Sequence, residues 1–314
     1  MAMKDMSTIS VVMATYNGGR YLREQLDSIF QQTYPVHEII IQDDCSTDDT
    51  VDIVREYMHE HSMVKLFVNE HNLGFSLNFK SAVLKATGDF IAISDQDDVW
   101  FPEKLAKQMA AIGTHDVCCS PCYKGQSPET WKLYKYKFSF EHQLFHSIYG
   151  HTMLCPRDFL QRDDSWLDGV CFDLSLTIQA YLHRGVVAVN EPLNWHRKHA
   201  NEVTIGTETG KTNKLSPYIG GYRSYRKLQQ NANWKLLYAH VFEHTTDCHP
   251  LVHRISGLLL KDDMLSLLRL CTICMRHKET IYPTNNTRGL AGSIRAFFFP
   301  FIHAYFNHKQ YTIY

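Results

Sequence analysis

The amino-acid sequence predicts an α/β fold: a mostly parallel sheet flanked by helices, followed by a helical C-terminal extension. Over the first 110 residues, short runs of Val, Ile and other apolar residues alternate with segments whose apolar residues recur at helical spacing. This alternation is typical of βαβ units, which build parallel sheets. From Tyr218 onward the apolar spacing is helical.

The individual elements follow from the same patterns. Strands are predicted over residues 9–14, 38–42, 64–68 and 90–94. Helices are predicted over 21–31, 48–59 and 76–86, and another begins at Pro102, where the missing N–H costs no hydrogen bond. In the second half we expect a helix over 172–182, strands over 186–189 and 193–196, and one strong helix over 258–270. The polar segment 202–213 is expected to form a mobile loop.

Composition excludes several functional classes. The net charge of the 314 residues is −1, so no basic field favours nucleic acid as a partner. No apolar run reaches the length of about 18 residues that a membrane span needs. The N-terminus does not have the pattern of a signal peptide. The nine irregularly spaced cysteines fit reduced thiols better than a zinc site. Together these features predict a cytoplasmic protein.

Polar clusters follow three of the predicted strands at the point where each strand ends. These clusters are Thr15-Tyr16-Asn17, Asp43-Asp44 and the acidic turn Asp95-Gln96-Asp97-Asp98. In open parallel sheets, ligands bind beyond the carboxyl ends of the strands. The coincidence therefore predicts a binding site at this edge of the sheet.

The acidic turn is a candidate metal site. Three carboxylates within four residues repel one another, and a divalent cation offsets that repulsion. Mg²⁺ or Mn²⁺ prefers such oxygen ligands and commonly shares them with substrate phosphates. A solvated acidic loop that caps the next helix is the alternative interpretation. For Asp43 and Asp44, turn formation and helix capping are compatible with hydrogen bonding to a base or a ribose.

Several spaced motifs, taken in order, closely resemble family 2 inverting glycosyltransferases of GT-A fold, particularly rhamnosyltransferase-like bacterial members. The matching stretches are ISVVMATYN at 9–17, QDDCSTD at 42–48, NLG at 72–74, Asn78-Phe79, GDFIA at 88–92 and DQDDVW at 95–100. Cys45 stands where this family usually has Gly. The resemblance implies a Rossmann-like GT-A sheet and a nucleotide-sugar donor.

The resemblance also implies roles for individual residues of the first 110. Thr15, Tyr16 and Asn17 belong to the donor site, where Thr15 and Tyr16 line the nucleotide base. Asp44 holds the base or the ribose, and Asn78 lies near the ribose and the diphosphate. A separate set surrounds the donor sugar and the metal: Asp95 contacts the sugar or ribose, Asp97 is the preferred direct metal ligand, and Asp98 binds the metal or the sugar.

A weaker resemblance extends to about residue 205. Gly150-His151-Thr152-Met153 is similar to the family's Gly-Cys-Thr-Met segment. Phe172-Asp173 resembles its His-Asp pair, which makes Asp173 the catalytic base; a helix cap is the simpler alternative for this residue, and Asp168 is the reserve candidate. Arg197 and His199 resemble part of the Arg-x-His-x-x-Asn motif and are assigned to the diphosphate and the metal. The spacing to Asn201 is one residue shorter than in the family.

The predicted organisation is a catalytic domain over 1–215, with a nucleotide-sugar half at 1–110 and an acceptor half at 111–215, and a helical extension at 216–314.

The predicted reaction moves a sugar from a UDP- or dTDP-linked donor, with dTDP-rhamnose favoured, to a hydroxyl of a glycan or polyprenyl-linked acceptor in cell-surface polysaccharide biosynthesis. A nucleotidyltransferase or a non-catalytic nucleotide-sugar binding protein are the alternatives. A nucleotidyltransferase would have an extended phosphate-binding loop after the first strand, and this sequence does not. A non-catalytic binding protein would not need the carboxylates.

The C-terminal region contains an unusually aromatic stretch at 297–302, with Arg288, Arg295 and Lys309 near it. Aromatic residues mixed with cations suit an interfacial membrane anchor. This pattern leaves open a peripheral contact with the cytoplasmic face of the inner membrane. Internal packing or a homodimer contact are the alternatives.

Overall fold

The computed structural model of the chain describes residues 6–199, 216–282, 287–307 and 311. The chain forms two compact units. The first contains Met1–Tyr136, Ile148–Trp166 and His183–Glu202, and the second contains Lys137–Ser147, Leu167–Leu182 and Val203–Tyr314. The division therefore differs from the one expected at residue 215. The segment 202–213, predicted as a mobile loop, and Asn201 lie outside the described residues.

The strands all belong to the first unit. They are β1 (Ile9–Thr15), β2 (Glu38–Asp43), β3 (Val64–Val68), β4 (Phe90–Ser94), β5 (Val99–Trp100), β6 (Val117–Cys119), β7 (Cys122–Gly125), β8 (Lys132–Tyr134), β9 (Leu154–Pro156), β10 (Val186–Ala188) and β11 (Asn194–Arg197). The four strands predicted in the first region are confirmed as β1 to β4. Five short strands, β5 to β9, were not predicted.

The helices are divided between the units. They are α1 (Gly19–Phe30), α2 (Thr50–Glu60), α3 (Phe75–Val83), α4 (Lys104–Ile112), α5 (Phe140–Gln143), α6 (Arg157–Leu160), α7 (Phe172–Leu182), α8 (Ser216–Leu228), α9 (Ala232–Glu243), α10 (Pro250–Leu259), α11 (Met264–Arg276), α12 (Lys278–Ile281), α13 (Gly289–Phe297) and α14 (Phe299–Asn307). Helices α1 to α4 and α6 belong to the first unit, and the others to the second.

The main sheet has the strand order β10-β6-β9-β4-β1-β2-β3. Strand β1 pairs in parallel with β2 and with β4, and β2 pairs in parallel with β3. Strand β9 is antiparallel to both of its neighbours, β4 and β6. The sheet is therefore mostly parallel, as predicted. Because β1, β2 and β4 run in the same direction, the polar residues that follow them meet at one edge.

A second, four-stranded sheet has the order β5-β11-β7-β8. Strand β5 begins directly after Asp98 and pairs antiparallel with β11 through Val99–Trp195 and Trp100–Asn194. Strand β11 pairs in parallel with β7 on its other side. This small sheet thus connects the acidic turn to the segment that contains Arg197 and His199.

The core of the first unit explains why these segments form strands and helices. Ile39 and Ile41 of β2, together with Leu22 and Leu26 of α1, are completely buried in one apolar cluster. Burying a Leu or Ile side chain contributes roughly 1.5–3 kcal/mol. The helical spacing of Leu22, Leu26 and Ile29 therefore places the apolar face of α1 on the sheet.

The second unit has its own apolar core. The residues that form this core are not confined to the helical extension predicted over 216–314. Phe140 of α5 and Leu174 and Ile178 of α7 belong to the same buried cluster as Trp234 of α9. Segments that precede residue 215 therefore pack with helices that follow it. This shared core is the physical reason for the position of the boundary.

The single helix predicted over 258–270 is wrong. Helix α10 ends at Leu259 and α11 begins at Met264. The carboxylate of Asp263 accepts a hydrogen bond from the backbone N–H of Ser266, which is the geometry of a helix N-cap. The apolar periodicity continues across this break because both helices contribute to the same core.

The aromatic stretch at 297–302 packs partly inside the second unit. Phe299 and Phe301 are buried, with 1% and 8% of their surface exposed. Internal packing therefore accounts for these two rings. In the neighbouring helix α13, the apolar side chains of Leu290 and Ile294 are exposed, at 78% and 47%. Within the described ranges, none of the helices combines the length and the apolar character that crossing a bilayer would require.

Candidate active site

The residues after β1 form a tight turn that is held by side chains from two neighbouring loops. Gln96 bonds to both sides of the Tyr16 peptide: its Oε1 accepts from the Tyr16 N–H at 2.9 Å, and its Nε2 donates to the Tyr16 carbonyl at 3.1 Å. A Cβ on Gly18 would lie 2.1 Å from that same Oε1. The acidic turn and the β1 turn are thus fixed to each other, and Gly18 makes this close approach possible.

Asn17 and Thr15 contribute to the framework of the site. Asn17 adopts φ of 48°, and its Oδ1 accepts from the backbone N–H of Thr47 at 2.8 Å. The Thr15 hydroxyl donates to Asp43 Oδ1 at 2.8 Å. Both side chains therefore hold the loop after β2 in place. The Tyr16 side chain is half exposed at the same edge.

Asp44 is buried and already accepts several hydrogen bonds. Its Oδ1 accepts from Asn69 Nδ2 and from the backbone N–H of Leu73, both at 2.7 Å. Its Oδ2 accepts from the backbone N–H of Gly74 at 2.9 Å. A carboxylate has about four acceptor positions, so about one remains for a ligand. The predicted contact of Asp44 with a base or ribose stays a prediction.

Asn78 lies in the first turns of α3 and joins β2 to the residue that follows β3. Its Nδ2 donates to the Gln42 carbonyl at 2.8 Å, and its Oδ1 accepts from Asn69 Nδ2 at 2.8 Å. The side chain is almost completely buried. Asn78 therefore positions Asn69, which in turn positions Asp44.

Cys45 occupies a strained position in the loop after β2. Its φ is 66°, in the left-handed region, which costs a residue with a Cβ about 1–2 kcal/mol. The family that the sequence resembles usually has Gly at this position. The structure thus explains the family's Gly by backbone conformation.

Asp97 pairs with His199 and lies beside Arg197. The Oδ2 of Asp97 is 2.7 Å from His199 Nε2, and the Asp97 carbonyl accepts from Arg197 Nε at 3.0 Å. Burial raises the pKa of Asp97, and repulsion from Asp98 raises it further. Arg197 also bonds to Glu24 through Nη2 at 2.5 Å. The sequence-predicted pair of metal ligands, Asp97 and His199, is therefore brought together.

Asp98 is completely buried and faces two imidazole rings. Its Oδ2 is 2.8 Å from His151 Nδ1, and its Oδ1 is 3.3 Å from His196 Nδ1. Burial alone would raise the pKa of Asp98, but the two imidazoles lower it well below its ordinary value. The two rings stack on each other with centroids 4.8 Å apart. Asp98 is thus held ionised inside the protein.

A metal-binding arrangement can be built from this second group of residues. One candidate ligand atom each of Asp95, Asp98, His151 and His196 lies within 4.8 Å of the others. Octahedral coordination at about 2.1 Å places neighbouring ligands roughly 3 Å apart, similar to the spacing around Asp98. The Nε2 of His151 is buried and has no hydrogen-bond partner within the described segments. These residues therefore fit a divalent cation.

Sequence reasoning did not identify His151 and His196 as candidate ligands. His151 precedes β9 and His196 lies in β11, so 45 residues separate them in the chain. Their only sequence signal is position: His151 lies inside the segment similar to Gly-Cys-Thr-Met, and His196 directly precedes Arg197. The structure also places the predicted residues Asp95 and Asp98 with them, while Asp97 and His199 form the adjacent pair.

The proposed base, Asp173, lies in the second unit. It occupies the first turn of α7, where its carbonyl accepts from the Thr177 hydroxyl at 2.7 Å. Its side chain is partly exposed, and that of Asp168 is exposed. The position in the first turn is compatible with both a helix-capping role and a catalytic role. The assignment stays a prediction.

The structure places carboxylates and histidines at the carboxyl edge of a mostly parallel α/β sheet, and family comparison identifies the class. A family model described as Glycosyl transferase family 2 matches residues 10–169, just over half of the chain. The chain therefore belongs to glycosyl transferase family 2.

Curated relatives match about a third of the chain. The chain is 40% identical over 108 residues to a Bacillus subtilis protein named as the glycosyltransferase EpsE, covering 34% of this chain and 39% of that protein. It is 36% identical over 101 residues to TuaG of the same organism, named as a teichuronic acid biosynthesis glycosyltransferase, covering 32% and 40%. The matches thus span about two fifths of the length of these relatives.

Solved structures share the fold over nearly the whole chain. The S. aureus TarS 1–349 complex with UDP-GlcNAc has a TM-score of 0.60 at 17% identity and covers 95% of this chain and 89% of that one. A mannosyltransferase from Pyrobaculum calidifontis, in complex with GDP-Man and Mn²⁺, has a TM-score of 0.52 at 17% identity, covering 96% and 88%. At these identities the similarity establishes the GT-A fold alone.

Proposed function

We propose that the protein is an inverting, metal-dependent glycosyltransferase that transfers a sugar from a nucleoside-diphosphate donor to a hydroxyl of a glycan or lipid-linked acceptor. The observation that supports this most directly is the acidic turn at the end of β4, in a chain of family 2. There Asp97 faces His199 at 2.7 Å, and Asp98 is buried between His151 and His196. The carboxylates suit the positive charge of a cation, and the cation in turn would offset the negative charge of a diphosphate.

The donor is proposed to lie along the edge formed by β1, β2 and β4. The half-exposed Tyr16 ring can stack on a base, and the remaining acceptor position of Asp44 can accept a hydrogen bond from the base or ribose. Arg197 can contact a diphosphate oxygen through its guanidinium. A UDP- or dTDP-linked sugar is proposed, with dTDP-rhamnose as the first candidate.

The cofactor is proposed to be Mg²⁺ or Mn²⁺. When bound, the cation would offset the negative charge of the diphosphate leaving group. Asp97 with His199 and Asp98 with Asp95, His151 and His196 are the residues that would hold it. Imidazole ligands would favour Mn²⁺ over Mg²⁺. The complex of the mannosyltransferase with GDP-Man and Mn²⁺ supports this choice.

The catalytic base is proposed to be Asp173. An inverting transfer needs one carboxylate to accept the proton of the attacking hydroxyl. Replacing Asp173 with Asn keeps the size of the side chain and removes its basicity. We expect D173N to lose transfer while it keeps donor binding, and D168N, the matched control, to keep both. Full turnover by D173N would reject this assignment.

The acceptor is proposed to belong to cell-surface polysaccharide biosynthesis, on the basis of the name of the relative TuaG, a teichuronic acid biosynthesis glycosyltransferase. A polyprenyl-linked acceptor would bring the enzyme to a membrane surface. The peripheral contact is then proposed to use the exposed apolar residues Leu290 and Ile294 of α13, rather than the buried phenylalanines.

The proposed reaction can be tested without knowing the acceptor, because glycosyltransferases also hydrolyse their donor slowly. A panel of UDP-, dTDP- and GDP-sugars would be incubated with the protein and Mn²⁺, and release of the nucleoside diphosphate measured. We expect release from one donor class, loss of release with EDTA, and loss in D97N but not in the exposed control D163N. Release of pyrophosphate instead would indicate a nucleotidyltransferase.

A further inference from the structure

An open pocket of about 710 Å³ lies on the second sheet of the first unit, outside the carboxyl edge of β1, β2 and β4. Its wall is formed by β7, β8 and the 3₁₀ turn Pro128–Thr130 between them, together with Lys198 after β11. This volume lies within the range of about 300–1,000 Å³ that small-molecule sites have. The residues that the donor site uses do not line this pocket.

Cations dominate the pocket. Lys124, Lys132 and Lys198 line it, opposed by the single carboxylate of Glu129. The whole chain has a net charge of −1, so this excess of positive charge is local. A concave surface lined by one sign of charge concentrates ligands of the opposite sign. The pocket is therefore expected to prefer an anion.

Aromatic rings provide a flat apolar surface in the same pocket. Trp131 lines it and stacks on Tyr123 with ring centroids 5.1 Å apart and an interplanar angle of 15°. Trp195 supports the indole from a second direction at 5.6 Å. Rings fixed in this way offer contact area at a low entropic cost. The C–H face of a sugar ring packs on such a surface, whereas a free phosphate has no group that uses it.

The pocket is linked to the acidic turn through the small sheet. The backbone N–H of Lys198 donates to the Gly125 carbonyl at 3.0 Å, which joins the segment after β11 to β7. The order β5-β11-β7 places β7 two strand spacings, roughly 10 Å, from the strand that follows Asp98. This distance suits an acceptor chain whose reacting hydroxyl lies near the donor and whose next units extend into the pocket.

A layer of side chains lies between the two places. Lys124 Nζ donates to the Tyr149 hydroxyl at 2.5 Å and lies 3.9 Å from the centre of the Tyr134 ring. The Tyr149 ring stacks on His151, which bonds to Asp98. The pocket and the acidic turn are therefore parts of one packed region of the first unit.

We propose that this pocket is an acceptor subsite for a negatively charged sugar, one that bears a carboxylate or a phosphate group. Lys132 and Lys198 bind the anionic group, and Trp131 packs on the sugar ring. This inference rests on the proposed transferase function, because it interprets the pocket as part of an acceptor path. It assigns an acidic glycan as the substrate class of the acceptor.

The test measures binding of two trisaccharides by calorimetry, without nucleotide and in EDTA, so that the donor site does not contribute. The probes are trigalacturonate, which is anionic, and maltotriose, which is neutral. We expect trigalacturonate to bind at least about tenfold more tightly. Lys132→Gln should weaken its binding about tenfold, equivalent to ~1.4 kcal/mol, and Lys132→Arg should restore it. Lys135→Gln, an exposed lysine outside the pocket, is the matched control.

Equal binding of the two trisaccharides, or unchanged binding in Lys132→Gln, would overturn the proposal. Phosphatidylglycerol vesicles form a second arm: if Lys132→Gln lowers vesicle binding alone, the pocket takes a lipid headgroup and the proposal fails. Donor hydrolysis is measured in parallel and should not change in Lys132→Gln. If the protein hydrolyses a donor but does not bind trigalacturonate, only the acceptor subsite is rejected. If it binds trigalacturonate but hydrolyses no donor, only the proposed transferase function is rejected.

Discussion

Replacing Asp98 with Asn tests the buried centre of the candidate site. The substitution keeps the shape of the side chain and removes its charge. Asp98 is completely buried and interacts with His151 at 2.8 Å, His196 at 3.3 Å and the backbone N–H of Arg197 at 3.3 Å. We expect D98N to lower the free energy of unfolding even when no metal is present.

The magnitude follows from these contacts. Burial lowers the pKa of His151, so at pH 7 this imidazole is neutral and bonds to a buried carboxylate rather than forming an ion pair. A hydrogen bond to a charged group contributes about 1.5–3 kcal/mol, and Asp98 has more than one such contact. Part of this is recovered, because the Asn no longer pays the desolvation of a carboxylate and no longer repels Asp97, whose pKa that repulsion raises. The net expected loss is roughly 2–4 kcal/mol. Because the imidazoles lower the pKa of Asp98, the stabilisation is present above its ordinary value of 3.8 and is lost as the pH falls below it.

The assay is urea denaturation in EDTA at pH 7, followed by circular dichroism. The matched control is D52N, because the Asp52 side chain is 76% exposed in an ion pair with Arg55 and should contribute at most about 0.5 kcal/mol. If D98N were as stable as D52N to within about 0.5 kcal/mol, the buried contacts of Asp98 would not contribute the expected stability.

Three further predictions follow from individual residues. Cys45→Gly should raise the free energy of unfolding by about 0.5–1 kcal/mol, because glycine tolerates a φ of 66°; an unchanged urea midpoint would argue against strain. Lys104 is fully buried, and burial lowers its pKa from 10.5 to about 8. Between pH 7 and 10, wild type should therefore gain about 2.5 kcal/mol of stability relative to Lys104→Met, whereas parallel pH profiles would refute the shift. Leu290→Asp should reduce co-sedimentation with anionic vesicles, and equal sedimentation would exclude α13 as the contact.

The regular first half of the fold was predictable mainly because strands β1, β2 and β4 are buried on both faces. The run Ile39-Ile40-Ile41 has no exposed surface, and such runs are visible in a sequence. Strand β5 has only two residues and forms because it pairs with β11. No local sequence pattern therefore predicts it. The break between α10 and α11 was hidden for a similar reason, since apolar spacing continued across it and only Asp263 marks the new helix.

The candidate site was predictable in its location and less so in its details. The clusters after β1, β2 and β4 meet because the three strands are parallel neighbours. The sequence could not reveal that Asp44 already accepts hydrogen bonds from Asn69, Leu73 and Gly74, since these contacts depend on the path of a loop. Nor could it reveal the stacked pair His151 and His196, which tertiary structure alone brings to Asp98.

The measurement that most directly tests the central claim is nucleotide binding as a function of metal. Titration calorimetry would follow UDP and dTDP binding to wild type and to D97N, each with Mn²⁺ and with EDTA. We expect nucleotide binding to wild type to require Mn²⁺, and D97N to lose this requirement together with most of its affinity. Equal binding with Mn²⁺ and EDTA, and no effect of D97N, would contradict a metal-assisted nucleotide-sugar site at the acidic turn.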